Sequence, residues 1–136
     1  MIEILVVDGN AEHVLLVKKC LSNHYYVAVT VAEDGEQALL LLTSPDYRPN
    51  LILLELNLPR LHGHEVLRRI RRRNQTVPIV VLSGSRSQED VSRAYAAGAN
   101  MYAEKSWDPD AFRRTIQAIA QLWVTPLAAA RAAHAT

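Results

Sequence analysis

The sequence predicts an α/β fold, a doubly wound parallel sheet in three layers, and three observations carry that prediction. Strand-like apolar runs alternate with helix-period segments, five of each, along the chain. The runs at 4–7, 51–54 and 77–82 are apolar at almost every position, as in strands buried on both faces. Polar or charged residues follow them directly, as at the ligand-bearing edge of an open parallel sheet.

Taken in order, the first run ends at Asp8, and Asn10 then caps a helix over 11–21 with Val14, Val17 and Leu21 on one face. Residues 25–31 are β-branched and aromatic, which marks the second strand. A helix over 36–42 is closed by Ser44-Pro45, because the residue before proline is pushed out of the helical region. The third strand, 51–54, reads Leu-Ile-Leu-Leu and runs into Glu55 and the turn Asn57-Leu58-Pro59. Val66, Leu67 and Ile70 form the apolar stripe of a short arginine-rich helix, and 77–82 is the fourth strand. After a polar loop at 83–86, Ser87 caps the next helix, with Asp90 at the fourth position of a capping-box-like pattern and Gly98 as the stop. Residues 101–103 make the last strand. Asp108-Pro109 then opens a helix with Phe112, Ile116, Ile119 and Trp123 on one face. These elements give one domain, 1–124, and a tail, 125–136, whose alanine-rich end either extends the last helix beyond Pro126 or frays.

Composition excludes several classes. At 136 residues, with 49% hydrophobic and 21% charged residues, the chain suits a single globular core. A net charge of +1 points to neither nucleic acid nor a membrane surface as partner. A lone Cys20 in an apolar helical pattern excludes an intrachain disulfide and reads as a buried thiol. No apolar segment approaches the roughly 18 residues of a membrane span and no signal-type segment opens the chain, so a cytoplasmic protein is expected. The cluster Arg68, Arg69, Arg71, Arg72 and Arg73 reads as a solvated helix end favoured by the helix dipole. His13, His62 and His64 are expected near the functional edge, and His62 and His64 read as loop polarity rather than a metal-ligand pair. There is no glycine-rich phosphate loop and no nucleophile elbow.

The C-terminal ends of parallel strands share one sheet edge, so Asp8, Glu55, Ser83 and Lys105 are expected to be neighbours. Two acids, a hydroxyl and an ammonium together suit an anion- or phosphate-handling site. They are equally the polar residues with which strands ordinarily end, and composition leaves both open.

The chain resembles, over about 2–123, the CheY-like receiver domain of bacterial response regulators. The matching pieces are Val6-Val7-Asp8, Asp34-Gly35, the segment LILLELNLP at 51–59, Gly63, Ser83, Ala97-Gly98-Ala99, and Tyr102 three residues before Lys105. Lys105-Ser106 and the late Trp123 look most like the small single-domain regulators of bacterial phytochrome systems. The resemblance implies a flavodoxin-like (βα)5 sandwich with strand order 2-1-3-4-5. In that family an aspartate closing the third strand accepts a phosphoryl group from a kinase phosphohistidine, with a divalent ion, usually magnesium, neutralising the phosphoryl oxygens. Carried over, the metal would be held by Asp8, Glu55 and the Asn57 carbonyl. Ser83 is then the phosphate-binding hydroxyl, Tyr102 the switching aromatic and Lys105 the phosphate's counter-ion.

Two positions depart from the family pattern. Glu55 stands at the phosphoacceptor position and Gly9 where an acid commonly touches the metal. One extra methylene moves the carboxylate by about 1.5 Å, when attack tolerates misplacement of only about 1 Å. Glycine removes a ligand and a charge from a site that depends on one or two carboxylates. The resemblance therefore implies an atypical regulator, not an enzyme, with no catalytic residue, no required cofactor and weakened magnesium binding. A Glu55–Lys105 pair, with Ser83 donating to the carboxylate, would imitate the phosphorylated state. The expected partners are a sensor histidine kinase, such as a bacterial phytochrome, or another receiver, and a second copy through the 87–123 face or the tail. The alternatives are a working phosphotransfer receiver using magnesium and a flavodoxin-like binder of a small ligand.

Overall fold

The structure, a computed structural model, describes residues 1–134. Five strands, β1 (Ile2–Val7), β2 (Val27–Ala32), β3 (Leu51–Leu54), β4 (Ile79–Ser83) and β5 (Met101–Glu104), form one sheet in the order β2-β1-β3-β4-β5. Every neighbouring pair is parallel. The connecting helices are α1 (Ala11–Ser22), α2 (Gly35–Thr43), α3 (Gly63–Arg73), α4 (Gln88–Ala96) and α5 (Pro109–Ile119). A π-helical turn, Ala120–Val124, joins α5 to α6 (Thr125–His134).

Successive side chains along a strand point to opposite faces, and each face here has its own core. Ile4, Val6, Leu51, Leu53, Val80 and Leu82 pack with Val17, Leu21, Phe112, Ile116 and Ile119 on the α1/α5 side. Leu5, Val7, Ile52, Leu54, Ile79 and Val81 pack with Ala38, Val66, Leu67, Ile70 and Ala94 on the α2–α4 side. Both registers of the central strands are therefore apolar, which is why they read as unbroken hydrophobic runs. Cys20 is a buried free thiol whose pKa burial pushes up.

Several boundaries differ from the sequence reading. The second strand starts at Val27, because the Tyr25 amide donates to Leu21 O and finishes the α1 C-terminus. The fourth starts at Ile79, because the Val77 amide is taken by Asn74 Oδ1 and Pro78 has no amide hydrogen to give the ladder. Helix α2 begins a residue early, with Asp34 Oδ1 accepting from Gln37 N. Helix α3 is longer than its apolar stripe, and His62 Nδ1 accepts from His64 N at its start. The capping box at Ser87 is half formed. Ser87 Oγ accepts from Asp90 N, but the Asp90 carboxylate turns instead to Ser85 Oγ at 2.6 Å.

The tail is helical past Pro126 within the described residues, and Ala135 and Thr136 lie outside them. Tyr25 and Thr125 share a hydroxyl–hydroxyl bond, and Arg131 donates to Met1 O and Asn50 Oδ1. Trp123 Nε1 donates to Met101 Sδ from the π-helical turn.

Candidate functional site

The site begins with the backbone. Past the last paired residues, Asp8 N donates to Ala32 O, Glu55 N to Val7 O and Lys105 N to Ser83 O. These bonds extend the sheet ladder by one step, so all three site residues sit on rigid backbone at one edge. Gly63 fixes the loop beside them. Its amide donates to Leu56 O, and a Cβ there would stand 2.5 Å from Leu56 Cα and 2.7 Å from Glu55 O. Only glycine lets α3 start this close to the end of β3.

Sequence separation is large but the side chains meet. Lys105 Nζ donates to Asp8 Oδ2 at 2.6 Å and to Glu55 Oε1 at 3.0 Å, and all three residues are buried. The other two carboxylate oxygens are also engaged. Asp8 Oδ1 accepts from Asn10 N, and Glu55 Oε2 accepts from Leu56 N at 2.7 Å and Asn57 N at 3.4 Å. One ammonium and three backbone amides thus satisfy two carboxylates taken out of water, the condition under which buried charges persist.

This arrangement offers a dication only a thin donor set. A hard ion draws on several carboxylate oxygens, and here Asp8 and Glu55 are the two acids at the edge, both hydrogen-bonded to Lys105. Gly9 offers no side chain, and a Cβ at that position would meet Glu33 O at 3.0 Å. Among the described residues no cluster of three histidine, cysteine or acidic groups is placed to hold a metal.

Ser83 is fully buried at the same edge, but its hydroxyl does not bond Glu55. Ser83 Oγ accepts from Ser85 N at 3.3 Å, while both Glu55 oxygens are turned to Lys105 and to the carboxylate's own loop. The expected Ser83–Glu55 bond is therefore absent from this arrangement. Tyr102 is half-buried against the α2–α4 core, and its hydroxyl donates to Ser85 O at 2.8 Å. Ser85 thus ties the aromatic, the Ser83 hydroxyl and, through Asp90, the first turn of α4. That hub carries no sequence signal beyond a serine in a polar loop. The Lys105–Ser106 peptide bond is trans, as is every other among the described residues.

A cavity of about 470 Å³ opens over the triad, walled by Asp8, Glu55, Lys105, His13, Asn57 and Trp107. Trp107 is 94% exposed at its rim, a feature no periodicity in the sequence marked. His13 packs on Phe112, its Nδ1 is buried without a partner, and burial and then Lys105 hold its pKa below the ordinary histidine value. His62 stacks on His64, but His64 is not loop polarity. It is fully buried on α3, both ring nitrogens lack a hydrogen bond, and Asp90 Oδ1 lies 3.6 Å from Nε2.

The comparisons agree with this fold. The response regulator receiver domain matches residues 4–117. A probable methanogenesis regulatory protein, FilR2 of Methanothrix harundinacea (strain 6Ac), is 34% identical over 89% of this chain and 83% of its own. The response regulator Rcp1 of Synechocystis is 32% identical over 89% of this chain and 87% of its own. The Mn(2+)-bound crystal structure of Rcp1 superposes with a TM-score of 0.85 at 31% identity, covering 90% of this chain and 94% of that one. The phosphorylated cyanobacterial phytochrome response regulator RcpA gives 0.87 at 30% identity, over 91% and 94% of the two chains. By the match over residues 4–117 and the strand order, this chain belongs to the response regulator receiver domain family of two-component signalling.

Proposed function

We propose that this protein is an atypical, cytoplasmic response regulator in which Glu55 supplies permanently the negative charge that others acquire by phosphorylation. The observation that carries the reading is the 3.0 Å contact of Lys105 Nζ with Glu55 Oε1. The lysine that would pair with a phosphoryl group already has a partner on the phosphoacceptor strand. Its second bond, to Asp8, and the amides on Glu55 Oε2 mean that a metal would have to compete with donors already in place on both carboxylates. The Tyr102 hydroxyl held by Ser85 O supports a fixed, inward aromatic. One carboxylate has less charge and fewer acceptors than a phosphoryl group, and Ser83 does not engage it, so the imitation is partial.

A protein of this kind signals by contact. The face formed by α4, β5 and α5 is where a histidine kinase, of bacterial phytochrome type, or another receiver docks. A second copy of the chain uses the same face or α6. Magnesium binding is weak and not required.

Incubation with a small acyl-phosphate donor and magnesium, followed by intact mass, tests the reading. The expected result is no added mass. A gain of one phosphoryl group that is lost in Glu55→Gln would overturn it. The second reading, ordinary phosphotransfer, draws on the retained Asp8, Ser83 and Lys105 and on similarity to a regulator described as phosphorylated.

A further inference from the structure

The lower half of α3 and the facing side of α4 bound a groove of about 480 Å³, lined by Arg68, Arg71 and Arg72 on one wall and Arg93, Ala96 and Ala97 on the other. No acid lines it. Of the nearby carboxylates, Glu65 is taken by Arg68 and Arg69, and its pKa is lowered first by the hydrogen bond from Arg68. Among the described residues Arg72 and Arg93 have no ion pair.

Arg71 is spent differently. It donates to Gly98 O, Val77 O and Asn100 Oδ1, all neutral acceptors, so its charge is fixed in place without being neutralised. Gly98, at φ +114°, makes the close approach. This anchoring holds the α3 wall against the α4 C-terminus and keeps a positive floor between two exposed guanidinium groups. Burial lowers the Arg71 pKa, as expected for a cation kept from water by carbonyls rather than carboxylates. The two alanines leave the opposite wall without side chains that would fill the space.

We propose that this groove docks an acidic segment of a partner protein, whose Asp and Glu side chains pair with Arg72, Arg93 and the exposed end of Arg68. Guanidinium forks match carboxylates in paired hydrogen bonds, which favours this partner chemistry over diffuse attraction. A nucleic acid fits less well. The groove has no aromatic side chain for a base to stack on, and the chain's net charge is only +1. The docking surface lies on the α3–α4 side, apart from the Asp8–Glu55–Lys105 edge, and does not depend on the state of that edge.

The test uses the full chain and a fluorescein-labelled peptide of alternating Glu and Ser, with binding read by anisotropy at low and at physiological (about 0.15 M) ionic strength. Arg72→Glu/Arg93→Glu is expected to weaken binding by about tenfold or more, from two exposed charge pairs lost and reversed. Lys18→Glu/Arg114→Glu makes the same change in net charge on other exposed positions and is expected to leave binding close to the parent's. Circular dichroism melting of both variants shows whether the fold is kept. Equal loss in the two double variants means that binding follows net charge alone and overturns the proposal. So does absence of binding at low salt, or a short DNA duplex that binds more tightly than the peptide and loses affinity in the groove variant.

Discussion

Lys105 Nζ lies 3.0 Å from Glu55 Oε1 and binds the sheet edge of β3 to the loop after β5, fifty positions away in sequence. The same ammonium reaches Asp8 at 2.6 Å, so one buried cation compensates two buried carboxylates.

Removing the cation is therefore worse than removing either anion. Lys105→Met leaves two adjacent buried carboxylates and is expected to cost about 3–5 kcal/mol. Glu55→Gln keeps the Lys105–Asp8 pair and the Leu56 amide contact, and is expected to cost about 1–2 kcal/mol. Urea denaturation of both variants at neutral pH checks the order. A Glu55→Gln loss that equals the Lys105→Met loss would show that the three groups are not one unit.

A thermal measurement with magnesium tests the proposed loss of metal binding. The midpoint of the parent chain is expected not to move when magnesium is added. Gly9→Asp/Glu55→Asp restores a ligand and shortens the other carboxylate, so its midpoint is expected to rise with magnesium concentration. The new Cβ at position 9 stands 3.0 Å from Glu33 O, so without metal this variant melts below the parent.

Tyr102→Phe keeps the ring and deletes the hydroxyl that donates to Ser85 O. The expected loss is about 0.5–1.5 kcal/mol, that of one hydrogen bond. Hydrogen exchange localises it: the amides of Ser85 and Ser87, held by Ser83 Oγ and Ser85 Oγ, are expected to exchange faster.

The pH dependence follows from His64. Burial, then Arg93 and His62, lower its pKa below the ordinary value of about 6.5, so the unfolded chain binds the proton more readily. Stability is then full above about pH 6.5 and falls as the pH drops through and below it, by up to about 1.4 kcal/mol per pH unit for one proton. His13 contributes with the same sign. His64→Leu is expected to flatten part of the slope and to gain stability at pH 5.5 relative to the parent, as followed by denaturation across pH.

Gly63→Ala is expected to destabilise the protein by more than about 1–3 kcal/mol, because the added Cβ meets backbone rather than a movable side chain. Gly84→Ala, where a Cβ would meet nothing within 4 Å, is the control and is expected to melt close to the parent.

Much of the site was legible because parallel topology is a strong constraint. Once the apolar runs were strands, Asp8, Glu55, Ser83 and Lys105 had to share an edge, and the backbone bonds at 8, 55 and 105 place them there. The alternation of cores on the two faces explains why β3 and β4 read so plainly. Local hydrogen bonding shortens the strands that the sequence predicts over 25–31 and 77–82. Tyr25 closes a helix and Val77 an asparagine-capped turn, although both carry strand-like side chains. His64 reads as loop polarity in the sequence because periodicity does not reveal that α3 starts at Gly63 and buries that ring.

By itself the sequence determined the fold class, the order of elements and the two departures, Glu55 and Gly9, because these depend on side-chain periodicity and on residue identity at fixed spacing. Tertiary structure alone decided how four carboxylate oxygens share one ammonium and three amides, and that Ser83 bonds Ser85 and not Glu55. The physical reason is that hydrogen-bond partners are chosen by distance and direction in space, and those are set only once the loops at the sheet edge have closed.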